Sequence, residues 1–235
     1  LDSVMNYPLR EAILSFVMGH STAHDLVRLL NHQAEVYPAQ FRYALMNLIG
    51  SHDRARVLNV LCGRTGEGLP KDQQQALRLT PEEYALAAKR YKTCMDILCA
   101  LPGCPTIYYG DEAGLTGCPD PFCRRPFPWG KEDPELMAHF RQLGQLRKAC
   151  PALKKGNIEF FKSDDRRIGF TRTDGRSKVR IYLNRGSEPW EIASGKILFG
   201  GEDITNYSRS KMRGKRTDMT IVFQDPFSSL DPRMS

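Results

Sequence analysis

Nothing in this sequence approaches the roughly 18 uninterrupted apolar residues that a membrane-spanning helix needs. Nor do its first thirty residues show a basic start followed by an apolar core. A secreted or membrane-inserted form is therefore not expected. Metal-ligand spacing is also missing: there is no Cys-x2-Cys and no His-Glu-x2-His, and His20 with His24, or Cys118 with Cys123, has no second pair to complete a tetrahedral set. Those four residues read as ordinary surface and core positions, so no metal and no cofactor is expected. Seven cysteines are an odd number at irregular spacing in a chain too long for a disulfide scaffold, which fits reduced thiols and a cytoplasmic setting.

What is present is globular in balance: 235 residues, 41% hydrophobic and 26% charged. The net charge of +7 could mark a nucleic-acid partner, but the one dense basic cluster, Arg209, Lys211, Arg213, Lys215 and Arg216, stands beside neither a zinc-finger spacing nor an RNA-binding aromatic signature. It reads as a solvated face, and no nucleic acid is expected. A start at Leu1 and a stop at Ser235 within a polar run suggest a fragment.

Pro8 to Val17 places Leu9, Ile13, Phe16 and Val17 on one helical face. The string FRYALMNLIGSHD (41–53) is an apolar run ending in a Gly-Ser-His-Asp cluster, the pattern of a buried strand that delivers polar groups at its C-terminal end. Thr80, Pro81 and Glu83 make a capping box, and Leu86, Ala87, Tyr91, Met95 and Leu98 continue at helical spacing until Pro102 and Gly103 stop the helix. PTIYYGDE (105–112) is a second strand that ends on carboxylates, and Asp133-Pro134 opens a helix reaching about Lys148. Alternating strands and helices imply a parallel sheet with crossovers. From Ile158 the runs IEFF, RIGFTR and KVRIYLN, with a turn at Asp174-Gly175, read as a small antiparallel unit.

In parallel α/β barrels the loops after each strand converge on one face, where catalytic groups collect. NLIGSHDRAR (47–56) resembles the strand-seven motif of the α-amylase family of glycoside hydrolases. GCPTIYYGDEAGLTGCPDPFCRRPFPWG (103–130) resembles the strand-eight region of its neopullulanase and cyclomaltodextrinase branch, and LDSVMNYPLREAI (1–13) is similar to the segment that follows the family's catalytic acid. The matches occur in family order and span about 190 residues with the helices between them.

The resemblance implies the C-terminal half of a (β/α)8 barrel over residues 1–150, a truncated antiparallel β domain over 151–192, and an α-glucan such as a maltooligosaccharide, cyclodextrin or pullulan as substrate. Glycoside cleavage builds positive charge on the sugar ring, and a fixed carboxylate stabilises it. Asp53 is the expected transition-state stabiliser, with neutral His52 donating a hydrogen bond to the sugar. Arg56 either pairs with one of these acids or makes an ordinary structural ion pair. Asp111 and Glu112 look like a hydrolase carboxylate pair, but the resemblance gives this segment structural and outer-pocket roles, with Asp111 holding its loop. Arg124 and Trp129 are candidate sugar contacts, although Trp129 beside Pro128 fits loop packing as well. A retaining mechanism also needs a nucleophile and a general acid, which the family supplies from strands four and five; neither motif is present.

The last 43 residues read differently. SGKILFGGEDIT and MTIVFQDPFSSLDPRMS resemble the ATP-binding subunits of dipeptide and oligopeptide ABC transporters, with Gln224 at the position of the Q-loop glutamine. This implies a short α/β ATPase-derived tail over 193–235, joined at about residues 191 to 194. Transporter membrane subunits would be partners only if that segment defined the function. A gene-assembly junction or pseudogene explains two incomplete families more simply than a natural fusion, since fused domains keep complete cores. The phosphate-cradling string G-x4-GK-[ST] does not occur. Calorimetric titration of the chain with ATP and magnesium is thus expected to give no binding, with Gln224→Ala changing nothing. A magnesium-dependent, micromolar affinity would overturn this.

Overall fold

The computed structural model describes residues 3–175 and 177–187 and, as backbone, the short strands at 198–199 and 202–203. Gln224 and the remainder of 193–235 lie outside the described residues. Eight α-helices are described: α1 (Tyr7–Met18), α2 (Ala23–Val36), α3 (Ala39–Ala44), α4 (Val57–Leu61), α5 (Lys71–Ala76), α6 (Pro81–Ala100), α7 (Pro134–Ala149) and α8 (Pro151–Lys155). The strands are β1 (Met46–Leu48), β2 (Cys104–Thr106), β3 (Asn157–Ser163), β4 (Arg167–Thr173), β5 (Lys178–Asn184), β6 (Leu198–Phe199) and β7 (Glu202–Asp203).

Helix α1 forms on the expected face, burying Leu9, Ile13, Phe16 and Val17. The Asn6 side chain caps its start by accepting from the Leu9 amide, and Gly19, at φ 85°, ends it in the left-handed region where a Cβ would be strained. Helix α6 follows the capping box: the Thr80 hydroxyl accepts from the Glu83 amide at 3.2 Å and the Glu83 carboxylate accepts from the Thr80 amide at 2.9 Å. Asp133 caps α7 as expected, taking the amides of Glu135 and Leu136 at 2.9 Å each.

The strand expected across 41–50 is shorter than its apolar run. Pro38 precedes a turn of helix over Ala39–Ala44, and only Met46–Leu48 is extended. The expected strand at PTIYYGDE is likewise confined to Cys104–Thr106, because the chain turns at Tyr108 to Asp111 through Gly110 at φ 82°. Short apolar runs satisfy either period, so their length in a strand is set by tertiary pairing. Helix α2 has no counterpart among the expected elements.

β1 and β2 pair in parallel, Met46 with Cys104, Asn47 with Pro105 and Leu48 with Thr106. Met5 adds a parallel bridge on the other side of Met46. The parallel sheet and its crossover helices are thus as expected. Three amides lock this end of the molecule: Asn6 Nδ2 donates to Asn47 Oδ1 at 3.0 Å, Gln33 Nε2 to Asn6 Oδ1 at 2.8 Å, and Asn47 Nδ2 to the Pro102 carbonyl at 2.8 Å. Buried amides that satisfy one another fix register without burying charge.

The antiparallel sheet, in order β3-β4-β5, packs its Ile168, Phe170, Ile181 and Leu183 into the same core as α1 and α6. Arg172 binds it to the end of α6, which Arg147 of α7 also meets. Arg147 Nη1 donates to the Cys99 carbonyl at 2.6 Å, and Arg172 donates to the Ala100 carbonyl and, at 3.1 and 2.9 Å, to the Gly156 carbonyl. Both neutralise the negative end of the helix dipole. Burial lowers the Arg172 guanidinium to about 10. A further pair, Asp96 and His139 at 2.9 Å, joins α6 to α7 in the interior.

Because the Thr80 cap is exposed and its hydrogen bonds are local, Thr80→Ala is expected to lower unfolding free energy by about 1 kcal/mol. Urea denaturation of the two chains measures this, and an unchanged midpoint would show that the core alone holds α6 in place.

Candidate active site

The parallel strand β1 ends at Leu48, and the chain then passes through Ile49 and Gly50 into the polar segment Ser51–Arg56. Gly50 is required sterically: a Cβ there would stand 1.7 Å from Asp111 Oδ2. Beyond it, His52 and Asp53 are half exposed, at 49% and 54% of their side chains, on the C-terminal side of the strand. This is the end of a parallel α/β sheet where ligands bind.

Asp53 is held by three groups. His52 Nε2 stands 3.0 Å from its Oδ1, the Tyr7 hydroxyl donates to its Oδ2 at 3.3 Å, and its own amide donates to Ser51 Oγ at 3.1 Å. Tyr7 and Ser51 share a 2.7 Å hydroxyl contact, and the Arg54 guanidinium lies 5.8 Å from the Tyr7 ring. His52 Nε2 is therefore engaged with Asp53, which leaves Nδ1 as the ring nitrogen for the hydrogen bond expected to a sugar hydroxyl. Tyr7 and Ser51 escaped sequence reasoning. The only available signal was Tyr7's place at the first turn of a helix whose N-cap, Asn6, is tied to β1.

Arg56 and Asp111 resolve an open alternative: they pair with each other at 3.0 Å, both fully buried. Arg56 also donates to the Cys123 carbonyl at 2.6 Å and to the Tyr109 carbonyl, and its guanidinium lies 4.3 and 4.7 Å from the rings of Tyr108 and Tyr109. Asp111 thus holds its loop through a cation rather than acting on solvent. Burial pushes its carboxyl up to about 7, against the pull of Arg56 and with help from Glu112.

Arg124 pairs with Asp120 at 2.7 Å, and Trp129, 81% exposed, packs against Phe127 at 4.5 Å between ring centroids. Among the described residues, neither makes a hydrogen bond, ion pair or ring contact with His52 or Asp53. No group of three or more His, Cys, Asp or Glu side chains suited to a metal ion occurs among the described residues, which include His20, His24, Cys118 and Cys123. No described helix is long and apolar enough to cross a membrane.

No protein-family model matches the chain. It is 36% identical over 196 residues to a cyclomaltodextrinase of Geobacillus thermopakistaniensis (strain MAS1), covering 81% of this chain and 29% of that protein. It is 31% identical over 229 residues to Neopullulanase 2 of Thermoactinomyces vulgaris, covering 95% of this chain and 35% of that protein. Among solved structures it resembles a cyclomaltodextrinase with a TM-score of 0.65 at 30% identity, over 80% of this chain and 29% of that one. It also resembles the cyclic α-maltosyl-(1→6)-maltose hydrolase of Arthrobacter globiformis in complex with its cyclic sugar, with a TM-score of 0.62 at 31% identity, over 79% and 37%. These relatives and neighbours are enzymes of the α-amylase family of glycoside hydrolases. The chain spans between 29% and 35% of the length of the two sequence relatives. The Neopullulanase 2 alignment, at 95% of this chain, is too long to stop at residue 192, so it enters the segment read as transporter-like.

Burial raises the folded Asp111 carboxyl to about 7 from an ordinary 3.8, so between those values the folded chain holds a proton that the unfolded chain has shed. Stability from this group is complete below about pH 4 and is lost as pH rises through about 7. Asp111→Asn is expected to flatten the fall in Tm between roughly pH 4 and 7. Parallel Tm profiles for the two chains would show that Asp111 does not titrate there.

Proposed function

We propose that this chain is the C-terminal half of the catalytic barrel of an α-amylase-family glycoside hydrolase acting on α-linked glucans, with Asp53 as its transition-state-stabilising carboxylate. The observation that carries the reading is the His52–Asp53 pair at the C-terminal end of a parallel strand, held by Tyr7 from the neighbouring β-to-α turn. Residues 1–150 are read as barrel and 151–192 as the start of its β domain.

As the sugar ring flattens toward an oxocarbenium geometry, a carboxylate fixed beside it gains more from the transition state than from the ground state. The Tyr7 hydroxyl and His52 Nε2 each hold one carboxylate oxygen, so Asp53 does not have to reorganise when charge develops. Such stabilisation is strong only where water is excluded, and Asp53 is half exposed here. The remaining walls of the pocket, with the nucleophile and the general acid, belong on this reading to barrel strands four and five. Arg124 and Trp129 would contact sugar farther out along the loop that follows β2.

The test is turnover. The 235-residue chain alone should hydrolyse neither cyclodextrin nor pullulan. Fused behind the N-terminal barrel strands of the Geobacillus cyclomaltodextrinase, it should do so, and Asp53→Asn in that fusion should lower kcat by roughly a hundredfold or more. Hydrolysis by the lone chain, or an unchanged kcat in the Asp53→Asn fusion, would remove Asp53 from the role.

A further inference from the structure

We infer that the loop 109–123 is a clamp that positions Asp53 from both sides, with Arg56 as its central grip and the Cys123 thiol as its second. This rests on the reading of Asp53 as the stabilising carboxylate and goes beyond it, since no residue of the clamp touches Asp53.

The segment 50–56 is anchored to this loop by six contacts. Ahead of Asp53, Gly50 is pressed against the Asp111 carboxylate, and the Cys123 thiol donates to the His52 carbonyl at 3.3 Å. Behind it, the Arg56 amide donates to the Gly117 carbonyl at 2.9 Å, and the Arg56 side chain reaches the Cys123 and Tyr109 carbonyls and Asp111. Gly117 is fixed in turn, its amide donating to Asn59 Oδ1 at 2.7 Å, and a Cβ there would meet the Phe122 carbonyl at 2.3 Å. The residues flanking Asp53 therefore cannot move unless the loop moves.

Positional error is expensive in catalysis: a misplacement of about 1 Å costs roughly a hundredfold in rate. Arg56 suits the task because its planar fork addresses three acceptors in different directions, two carbonyls and a carboxylate, while the Tyr108 and Tyr109 rings flank the cation. A lysine keeps the charge and loses the fork. Cys123 acts differently, as a buried donor to one carbonyl, so serine can stand in for it and alanine cannot.

The experiment is a double-mutant cycle in the barrel-complete fusion. Arg56→Lys should lower kcat by roughly tenfold to a hundredfold, with KM changed by less than about threefold. On the Asp53→Asn background the same substitution should add little, because its effect passes through the carboxylate already lost. Cys123→Ala should behave alike on a smaller scale, and Cys123→Ser should recover most of its loss. Equal kcat losses from Arg56→Lys on both backgrounds would overturn the clamp. Native-state hydrogen exchange of the 235-residue chain gives a second reading that needs no activity: Arg56→Lys and Cys123→Ala should speed exchange at the amides of 52–56 by roughly tenfold over distant amides of matched protection. Should Asp53→Asn leave kcat unchanged, only the assignment of Asp53 fails, and exchange at 52–56 decides the clamp; no local change there would overturn it.

Discussion

The buried guanidinium of Arg56 is the interaction on which the candidate site depends. It has no exposed surface, belongs to the loop that follows β1 and binds the loop that follows the neighbouring parallel strand β2. Removing one partner of such a buried pair costs roughly 3–5 kcal/mol, most of it the penalty of the charge left behind. The geometry spreads this risk, because two carbonyls and two aromatic faces also meet the cation. The raised carboxyl of Asp111 follows from the same burial: water is lost from the acid faster than one arginine can compensate.

Two further arginines do similar work at the C-terminal end of α6. Arg147 and Arg172 bind the final carbonyls of α6, which would otherwise be buried acceptors at the negative end of a 20-residue helix. Arg172 belongs to β4, so the antiparallel sheet is joined to α6 by backbone acceptors as well as by the shared apolar core. Arg185 repeats the device at the other end of the sheet, donating to the carbonyls of Phe16 and Ser21 around the C-terminus of α1. Helix ends were thus the natural sockets for this unit, and long basic side chains were the residues able to reach them.

Legibility in the sequence followed the range of the interactions involved. Helix α6 could be read from Thr80, Glu83 and its apolar spacing because caps and stripes are local. The three strands of the antiparallel sheet were legible for the same reason, each an alternating run closed by a turn. Helix α2 was not: it buries only Ala23, Leu26 and Gln33, and Asp25 stands at the capping position where Glu or Gln is the usual signal. Phe41 to Ala44 read as strand because a short apolar run fits either period, and Pro38 started a helix instead. His52 and Asp53 were visible as a polar pair closing an apolar strand. Tyr7 was not, because its meeting with Ser51 and Asp53 depends on Met5 pairing beside Met46 across 41 residues. The Arg56–Asp111 pair lay between: the residues were noticed, but only the fold decided that they meet each other rather than the sugar.

The exposure of the site and the burial of its support have one physical cause. A carboxylate intended for a developing positive charge has to keep an open face, so its own contacts are few and weak. Tyr7 approaches Asp53 at 3.3 Å and His52 at 3.0 Å, with both acid and imidazole half in water. Rigidity must then come from the backbone on either side rather than from the side chain itself. Backbone groups supply it here: the loop 109–123 addresses the His52 carbonyl and Gly50, and Arg56 in turn addresses that loop's Gly117 and Cys123 carbonyls. The loop could take that role because its charged member is buried and neutralised by a residue only three positions beyond Asp53. A short spacing along the sequence thereby converts a structural ion pair into a constraint on the carboxylate proposed to act on the sugar.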